Sequence, residues 1–223
     1  MFKKWLAIFK KDNLMDQAYK RSFMMLSLTR EMFLKSKESL RQREDNEIDL
    51  DIRSKDLEIN KYEREVRRNV FNHLTFSSPE TLPSGLVLVS IIIDIERIGD
   101  YTKNIVDLAL NHPGKLHGGK LEDSIYHIEE GVLDNFINTK ECFESGNDDL
   151  ALKLLDKYSW INQACDECLI SLVKEEDKNI RLGDGVALAI YSRCLKRINS
   201  HLRNITTSVV NPFDRIGFNP KES

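Results

Sequence analysis

Residues 94–105, from Asp94 to Ile105, have the sequence DIERIGDYTKNI. Isoleucine occupies positions 95, 98 and 105 of this stretch, and this spacing places the three side chains on one side of an α-helix. The positions between them are mostly charged or polar, as expected for a helix with one face in a core and the other in water. The stretch therefore predicts a long amphipathic helix, which we extend from Leu86 to Leu110.

The same helix occurs a second time, 100 residues further along the chain. Gly85 corresponds to Gly185, and Arg97 and Asn104 recur as Arg197 and Asn204. A repeat without a gap predicts two copies of one structural unit. The apolar positions have the spacing of a seam in a helical bundle; they are 88, 91, 95, 98, 105 and 109 in the first copy and 188, 191, 195, 198, 205 and 209 in the second.

Breaks in the pattern predict the other helices. An acidic stretch at 44–51, a Pro- and Ser-rich loop at 76–83 and a Gly-containing turn at 145–148 separate periodic segments. The chain is therefore predicted to be all-α, with two tandem three-helix bundles. The six helices are expected near residues 16–43, 56–74, 86–110, 120–144, 150–175 and 185–210. The expected domains are a basic amphipathic segment (1–14), two three-helix repeats (15–112 and 120–210) and a flexible tail (211–223).

Composition excludes several classes of function. The 33 basic and 36 acidic side chains nearly cancel, so no overall positive field favours nucleic acid as a partner. No apolar run approaches the roughly 20 residues of a membrane-spanning helix, and we expect a cytoplasmic protein. All four cysteines lie in helical segments of the second half, where packing thiols are expected; Cys165 and Cys168 form a CxxC without a second pair at zinc-finger spacing.

The N-terminal segment, residues 1–11, is basic and amphipathic. Phe2, Trp5, Leu6 and Phe9 have helical spacing, and lysines surround them. Such a segment suits an anionic membrane surface or a membrane-bound partner, and it equally suits docking on its own domain. The sequence leaves these alternatives open.

The stretch 94–105 resembles the signature helix of the PhoU family. That signature has an acidic residue, a second acidic residue four positions later and Asn after four more; here these are Glu96, Asp100 and Asn104 in the context ERIGD. The preceding charged helix, the loop, the two-repeat plan and the length are also similar. The resemblance implies six helices in two bundles of the spectrin-type repeat, a cytoplasmic location peripheral to the membrane, a homodimer, and iron or zinc clusters in some members. It also implies a regulator that restrains phosphate uptake and signalling by contacting a phosphate transporter or a sensor histidine kinase at the inner face of the membrane.

Spacing explains how the motif could hold a metal. Side chains at i, i+4 and i+8 line one stripe of a helix, so Glu96 and Asp100 present two carboxylates and Asn104 an amide oxygen. Two carboxylates bind a metal weakly, so further ligands are needed from a neighbouring helix or a second subunit. The candidates on the preceding helix are Glu58, Glu63 and Glu65. The alternative is that Glu96 and Asp100 form ion pairs with Arg97, Lys103 or an arginine of that helix, while Gly99 lets helices approach.

The second repeat departs from the motif. Lys196 and Ser200 stand in place of the two carboxylates, so this copy is expected to lack a metal face. His201 lies beside the vacated position, where we expect a solvated surface histidine rather than a ligand.

Motifs of catalysis are missing, and the chain is predicted not to be an enzyme. It has no HExxH sequence and no glycine-rich phosphate loop. A carboxylate-bridged di-metal enzyme requires Glu-x-x-His pairs, and none of the five histidines has Glu three residues before it. A metal-free helical scaffold or adaptor is the main alternative, and it differs from the first interpretation only in the metal.

Overall fold

The computed structural model describes residues 14–45 and 47–220. The expected basic segment therefore lies almost wholly outside the described residues. Within them the chain is built from α-helices and short 3₁₀ turns, without β-strands, which confirms the predicted fold class. The helices are α1 (Leu14–Gln42), α2 (Ile52–Phe76), α3 (Leu82–Asn111), α4 (Glu122–Ser145), α5 (Asp148–Lys157), α6 (Trp160–Val173) and α7 (Leu182–Val210); the turns are Pro79–Thr81, Gly119–Leu121 and Phe213–Arg215.

Local signals explain the helix ends. The Asp51 carboxylate accepts a hydrogen bond from the Ser54 N–H at 3.0 Å, so α2 begins before the expected position. Pro83 lies in the first turn of α3, where its missing N–H has no intrahelical partner to lose. Gly146 ends α4 in the left-handed conformation with φ of 56°, which glycine adopts without strain.

The fifth predicted helix is broken into α5 and α6, which is a correction to the single helix expected at 150–175. The break brings the Tyr158 side chain against α4, where its hydroxyl donates to the Asp134 carboxylate at 2.7 Å and accepts from the Asn138 amide at 2.7 Å. Within the break, the Ser159 hydroxyl donates to the Asp156 carbonyl at 2.7 Å. If α5 and α6 are taken as two halves of one helix, the described residues contain the six predicted helices.

The helices form two groups that share one core. In the first group α1 packs on α2 and α3, and in the second α4, α5 and α6 pack on α7. The groups meet where α3 contacts α7 and where α1 contacts α4. The repeated apolar seam faces inward in both copies, since every position from 88 to 109 and from 188 to 209 that the repeat singled out is buried. The burial of these positions confirms the predicted seam. The predicted domain boundaries stay a prediction, because one continuous cluster of buried side chains spans both groups.

Buried hydrogen bonds also connect the two groups of helices, where α1, α4 and α7 meet. The Arg41 guanidinium of α1 donates to the Glu129 carboxylate of α4 at 2.9 Å, and the Tyr191 hydroxyl of α7 donates to the same carboxylate at 2.8 Å. Arg41 also donates to the Leu116 carbonyl in the connection between the two groups. Phe33 stacks on Phe136 beside them, with ring centroids 5.6 Å apart.

The chain after α7 folds back on that helix. The Gly217 N–H donates to the Thr207 hydroxyl at 2.8 Å, and the Asn211 amide donates to the carbonyls of Arg215 and Phe218. Residues 211–220 therefore make specific contacts, and the tail predicted at 211–223 is described only to Pro220. Among the described helices, none combines the length and the hydropathy needed to cross a membrane.

Candidate functional site

Glu96 and Asp100 lie on α3 beside α2 and are surrounded by charged groups. The Asp100 carboxylate forms ion pairs with Arg97 at 2.9 Å and with the Lys103 ammonium at 2.8 Å. Lys103 also reaches α2, where its ammonium lies 2.8 Å from the Asp56 carboxylate. Glu96 is the more buried of the two acids and has one ion pair, at 3.7 Å to Arg97.

Partial burial and nearby negative charges raise the pKa of Glu96. Partial burial is the main cause, because it penalises the charged carboxylate, and the neighbouring charges of Asp100 and Glu63 add to the effect while Arg97 opposes it. The pKa of Lys103 is also raised, which for a lysine means that the folded state favours the charged form. Burial alone would lower its pKa, but the hydrogen bonds and charges of Asp100 and Asp56 outweigh burial and hold the pKa above its ordinary value. The site is therefore an acidic cluster that is paired with cations of the same chain. We define the α2–α3 acidic cluster as Asp56, Glu63, Glu96 and Asp100.

Asn104 lies away from this cluster. It is exposed on α3 and borders a shallow groove between α3 and the start of α7. Eight residues of helix separate it from Glu96, which is a rise of about 12 Å. One metal ion bound by both side chains would have to span that distance, so the three motif residues do not form a single ligand set in this conformation.

The three candidate ligands on α2 have different neighbours. Glu58 accepts a hydrogen bond from the Tyr62 hydroxyl at 2.6 Å, and Glu65 pairs with Arg21 of α1 at 3.1 Å. Glu63 pairs with Arg67 at 2.8 Å and is close enough to Glu96 to raise its pKa. Glu63 is thus the best placed of the three to share a cation with α3.

The donor set fits a metal only incompletely. Within residues 14–45 and 47–220, no three His, Cys, Asp or Glu side chains are grouped closely enough to hold a metal ion. A cation at Asp100 would have to displace the Lys103 ammonium, which already neutralises that carboxylate. The assignment of iron or zinc to Glu96, Asp100 and Asn104 stays a prediction.

Gly99 has the structural role that its position suggests. A methyl group added at Gly99 would lie 3.2 Å from the end of Ile59 on α2 and 3.8 Å from the Thr29 methyl on α1. The glycine therefore lets three helices meet directly beside the acidic cluster.

The corresponding face of the second repeat, on α7, carries an ion pair that is surrounded by amide side chains. The Lys196 ammonium lies 2.6 and 2.5 Å from the two oxygens of Asp166 on α6. The Asn162 amide donates to the Ser200 hydroxyl at 3.2 Å and accepts from Asn199 at 3.0 Å. In the second repeat, Lys196 therefore pairs with Asp166, and the lack of a metal face in this repeat stays a prediction.

His201 corrects the sequence interpretation, because it is buried at the junction of the two repeats and is not a solvated surface histidine. Its side chain contacts the Asp94 carboxylate of α3 through Nδ1 at 2.7 Å, and the ring is 8% exposed. The Asn204 amide donates to the same Asp94 oxygen at 2.8 Å. The Nε2 atom of His201 is buried without a hydrogen-bond partner among the described residues.

Tyr101 and Arg197 extend this contact. The Arg197 guanidinium donates to the Tyr101 hydroxyl at 3.1 Å, and the Tyr101 ring stacks on His201 with centroids 5.7 Å apart. Roles for Asp94 and Tyr101 were not predicted from the sequence, although both residues belong to the stretch 94–105. A signal was present, since positions 94, 98, 101 and 105 share one helix face and place a carboxylate among apolar side chains.

Comparison with known proteins finds one family model that matches the first half of the chain in part. Residues 24–109 match the family model of the PhoU domain, and this range includes most of α3 and the whole acidic cluster. Sequence comparison with curated proteins finds no match.

Two solved structures have the same fold. The structure of PhoU from Pseudomonas aeruginosa superposes with a TM-score of 0.75 at 21% identity, covering 88% of this chain and 95% of that one. The structure of the phosphate transport system regulatory protein PhoU from Streptococcus pneumoniae superposes with a TM-score of 0.74 at 16% identity, covering 88% of this chain and 93% of that one. The resemblance to the PhoU family is therefore confirmed: residues 24–109 match the PhoU domain model, and the chain shares the fold of the two PhoU structures over 88% of its length.

Proposed function

We propose that this protein is a regulator of phosphate uptake and phosphate signalling that acts by contacting other proteins. The observation that carries the proposal is the match of residues 24–109 to the PhoU domain, which includes the signature stretch of α3. One of the two solved relatives is itself named as a regulatory protein of phosphate transport. The contacts that fit this role are with a phosphate transporter or its sensor kinase at the inner face of the membrane, made by a homodimer in the cytoplasm.

The acidic cluster supports a role in binding rather than in catalysis. Asp100 and Asp56 are engaged by the chain's own Lys103, and Glu96 is held partly buried beside like charges. A carboxylate kept in such an environment stores unfavourable electrostatic energy, which a cationic partner group or a metal ion would relieve. The regulator is therefore proposed to act without turnover.

Deletion of the gene tests the regulatory proposal. A reporter controlled by a phosphate-starvation promoter should stay active in high phosphate when the gene is deleted, and the wild-type gene should silence it again. A reporter that responds to phosphate identically with and without the gene would overturn the proposal. Chemical cross-linking in intact cells, followed by mass spectrometry, then identifies the contacted protein, which we expect to be a phosphate transporter subunit or a sensor kinase.

The metal is a separate proposal, and the position of Glu96 and Asp100 on one stripe of α3 supports it. Iron or zinc would be held by Glu96 and Asp100, with Glu63, whose charge acts on Glu96, as a further carboxylate. Metal analysis of protein purified without an affinity tag, and thermal unfolding with and without added zinc, test it. We expect added zinc to stabilise the wild type and to leave a variant with Glu96→Ala and Asp100→Ala unchanged. The absence of metal together with equal responses would favour the metal-free adaptor.

A further inference from the structure

An open cleft lies in the second repeat, between the break of α5 and α6, helix α7 and the end of the described chain. Its volume of about 770 Å³ lies within the range of roughly 300–1,000 Å³ that is typical of small-molecule sites. Leu152 and Leu155 of α5 supply apolar lining, and Asn162 of α6 and Asn199 of α7 supply amides. In the first repeat the unbroken helix α2 takes the place of α5 and α6. The cleft therefore occupies a helix break that α2 does not have.

A network of amide side chains runs from this cleft into the core. Asn199 is 3% exposed, and it accepts a hydrogen bond at 2.8 Å from the amide of Asn135 on α4, which is buried equally. The Asn199 amide donates to Asn162 at 3.0 Å, and the Asn162 amide donates to the Ser200 hydroxyl at 3.2 Å. An amide nitrogen carries two N–H groups, and Asn162 and Asn199 each use one of them in this network. The cleft is therefore lined by amides that are held in place and keep a donor each.

The first repeat shows that the helices can pack without such amides. Gly99 is the residue that corresponds to Asn199, and beside it the helices meet through the apolar ends of Ile59 and Thr29. Burying a polar side chain costs free energy, which its hydrogen bonds only offset. A buried amide network where the other repeat has an apolar contact indicates a role beyond packing.

The cleft also contains an arginine without an acidic partner. Arg203 of α7 is partly buried, and its guanidinium donates to the side-chain oxygen of Asn219 near the end of the described chain. It lines the cleft and forms no ion pair within residues 14–45 and 47–220. The corresponding residue of the first repeat, Lys103, is paired with Asp100. Ser200 stands in the place of Asp100, so the guanidinium of Arg203 stays available for a carboxylate or phosphate group.

The charged groups of the lining define the chemistry of a ligand. Among the described residues that line the cleft, only Arg203 and Asp156 carry a charge. One guanidinium binds one anionic group with two parallel hydrogen bonds, whereas the Asp156 carboxylate disfavours further negative charge. That carboxylate accepts hydrogen bonds from hydroxyl groups, and the amides of Asn162 and Asn199 donate to them. A hydroxylated organic molecule with a single anionic group matches this lining.

We propose that this cleft binds a small organic anion that carries hydroxyl groups, namely a sugar acid or a sugar phosphate. The carboxylate or phosphate group pairs with Arg203, and the hydroxyl groups bond to Asn162 and Asp156. The carbon chain lies against Leu152 and Leu155 of α5. The site goes beyond the proposed function and does not rest on it, because binding by the purified protein involves no transporter, kinase or phosphate signal.

Isothermal titration calorimetry of the full chain tests the site with four probes. Gluconate and glucose 6-phosphate combine hydroxyl groups with a carboxylate and a phosphate group respectively, glucose has no charge, and inorganic phosphate has charge without the carbon chain. We expect at least one of the two organic anions to bind, and to bind more weakly as salt is raised. Glucose and inorganic phosphate should bind at least about tenfold more weakly than that anion. Which of the two organic anions binds more tightly distinguishes a sugar acid from a sugar phosphate.

Two substitutions in the cleft and one control refine the test. Arg203→Gln should weaken binding of the anion at least about tenfold, because the charged hydrogen bonds are lost. Asn162→Asp keeps an oxygen that accepts from Asn199 and should weaken binding as much, because it adds a negative charge. Arg193 is exposed on the same helix, about 15 Å before Arg203, and does not line the cleft. Arg193→Gln should therefore bind like the wild type, and circular dichroism confirms that each variant is folded.

The proposal is wrong if neither gluconate nor glucose 6-phosphate binds to the wild type. It is also wrong if inorganic phosphate binds as tightly as the better organic anion, since the cleft would then not recognise the carbon chain. Binding by folded Arg203→Gln or Asn162→Asp that equals binding by Arg193→Gln would place the anion elsewhere on the molecule. None of these outcomes affects the reporter assay, so anion binding and phosphate regulation can fail separately.

Discussion

Asp94 joins the two repeats, and its removal should destabilise the whole protein. Its carboxylate accepts hydrogen bonds from His201 at 2.7 Å and from Asn204 at 2.8 Å across the contact of α3 with α7. A hydrogen bond to a charged group contributes about 1.5 kcal/mol or more, so the two together contribute about 3 kcal/mol. The substitution Asp94→Ala also leaves a buried imidazole and a partly buried amide without their partner. We therefore expect the free energy of unfolding to fall by about 3 kcal/mol.

Urea unfolding followed by circular dichroism measures this loss. The midpoint should decrease while the slope of the transition stays constant, and thermal unfolding should shift by about 6–12 °C for a chain of this length. Asp107 on the exposed side of α3 provides the control, and Asp107→Ala should change stability by less than about 0.5 kcal/mol. The double variant of Asp94→Ala with His201→Ala should lose less than the sum of the single variants. A loss for Asp94→Ala as small as that of the control would refute the reasoning.

Three further predictions follow from the packing and the charges. Glu96→Gln should stabilise the protein at pH 7 in urea unfolding, because the raised pKa of Glu96 means that the folded state disfavours its charge, and the gain should vanish as the pH falls below the ordinary glutamate pKa. Exposed Glu80→Gln should change the stability at pH 7 by less than about 0.5 kcal/mol. Gly131→Ala should lower the free energy of unfolding by about 1–3 kcal/mol in urea unfolding, since the new methyl would lie 2.8 Å from the Trp160 ring. Gly183→Ala, whose new methyl would have no neighbouring atom within 4 Å, should be neutral or stabilising in the same assay. Leu88→Ala and Leu188→Ala should each cost about 2–5 kcal/mol because both side chains are fully buried, whereas exposed Leu182→Ala should cost little in the same assay.

Periodicity predicted the fold well because the seam is a property of the helix alone. Positions 88 to 109 and 188 to 209 are apolar at helical spacing, and burial of that stripe follows whatever the helix packs against. The break between α5 and α6 could not be predicted in this way. It depends on Tyr158 reaching Asp134 and Asn138 of α4, which is a contact between helices that no local pattern records.

The candidate site was predictable only in part. Helical spacing placed Glu96 and Asp100 on one stripe of α3, as possible metal ligands or as partners of Arg97 and Lys103. In the structure, Asp100 forms ion pairs with both Arg97 and Lys103. Asn104 shares the stripe but lies about 12 Å along the helix from Glu96. His201 was misjudged because its burial arises from the packing of α7 on α3, and Asp94, its partner, lies more than 100 residues away in sequence.

The rate of phosphate uptake tests the central claim most directly. Cells of the source organism, with and without the gene, are grown in excess phosphate, and the initial uptake of radioactive phosphate is measured. A regulator that restrains uptake predicts faster uptake in the deletion strain and a return to the original rate when the wild-type gene is restored. Equal rates in all three strains would contradict the account.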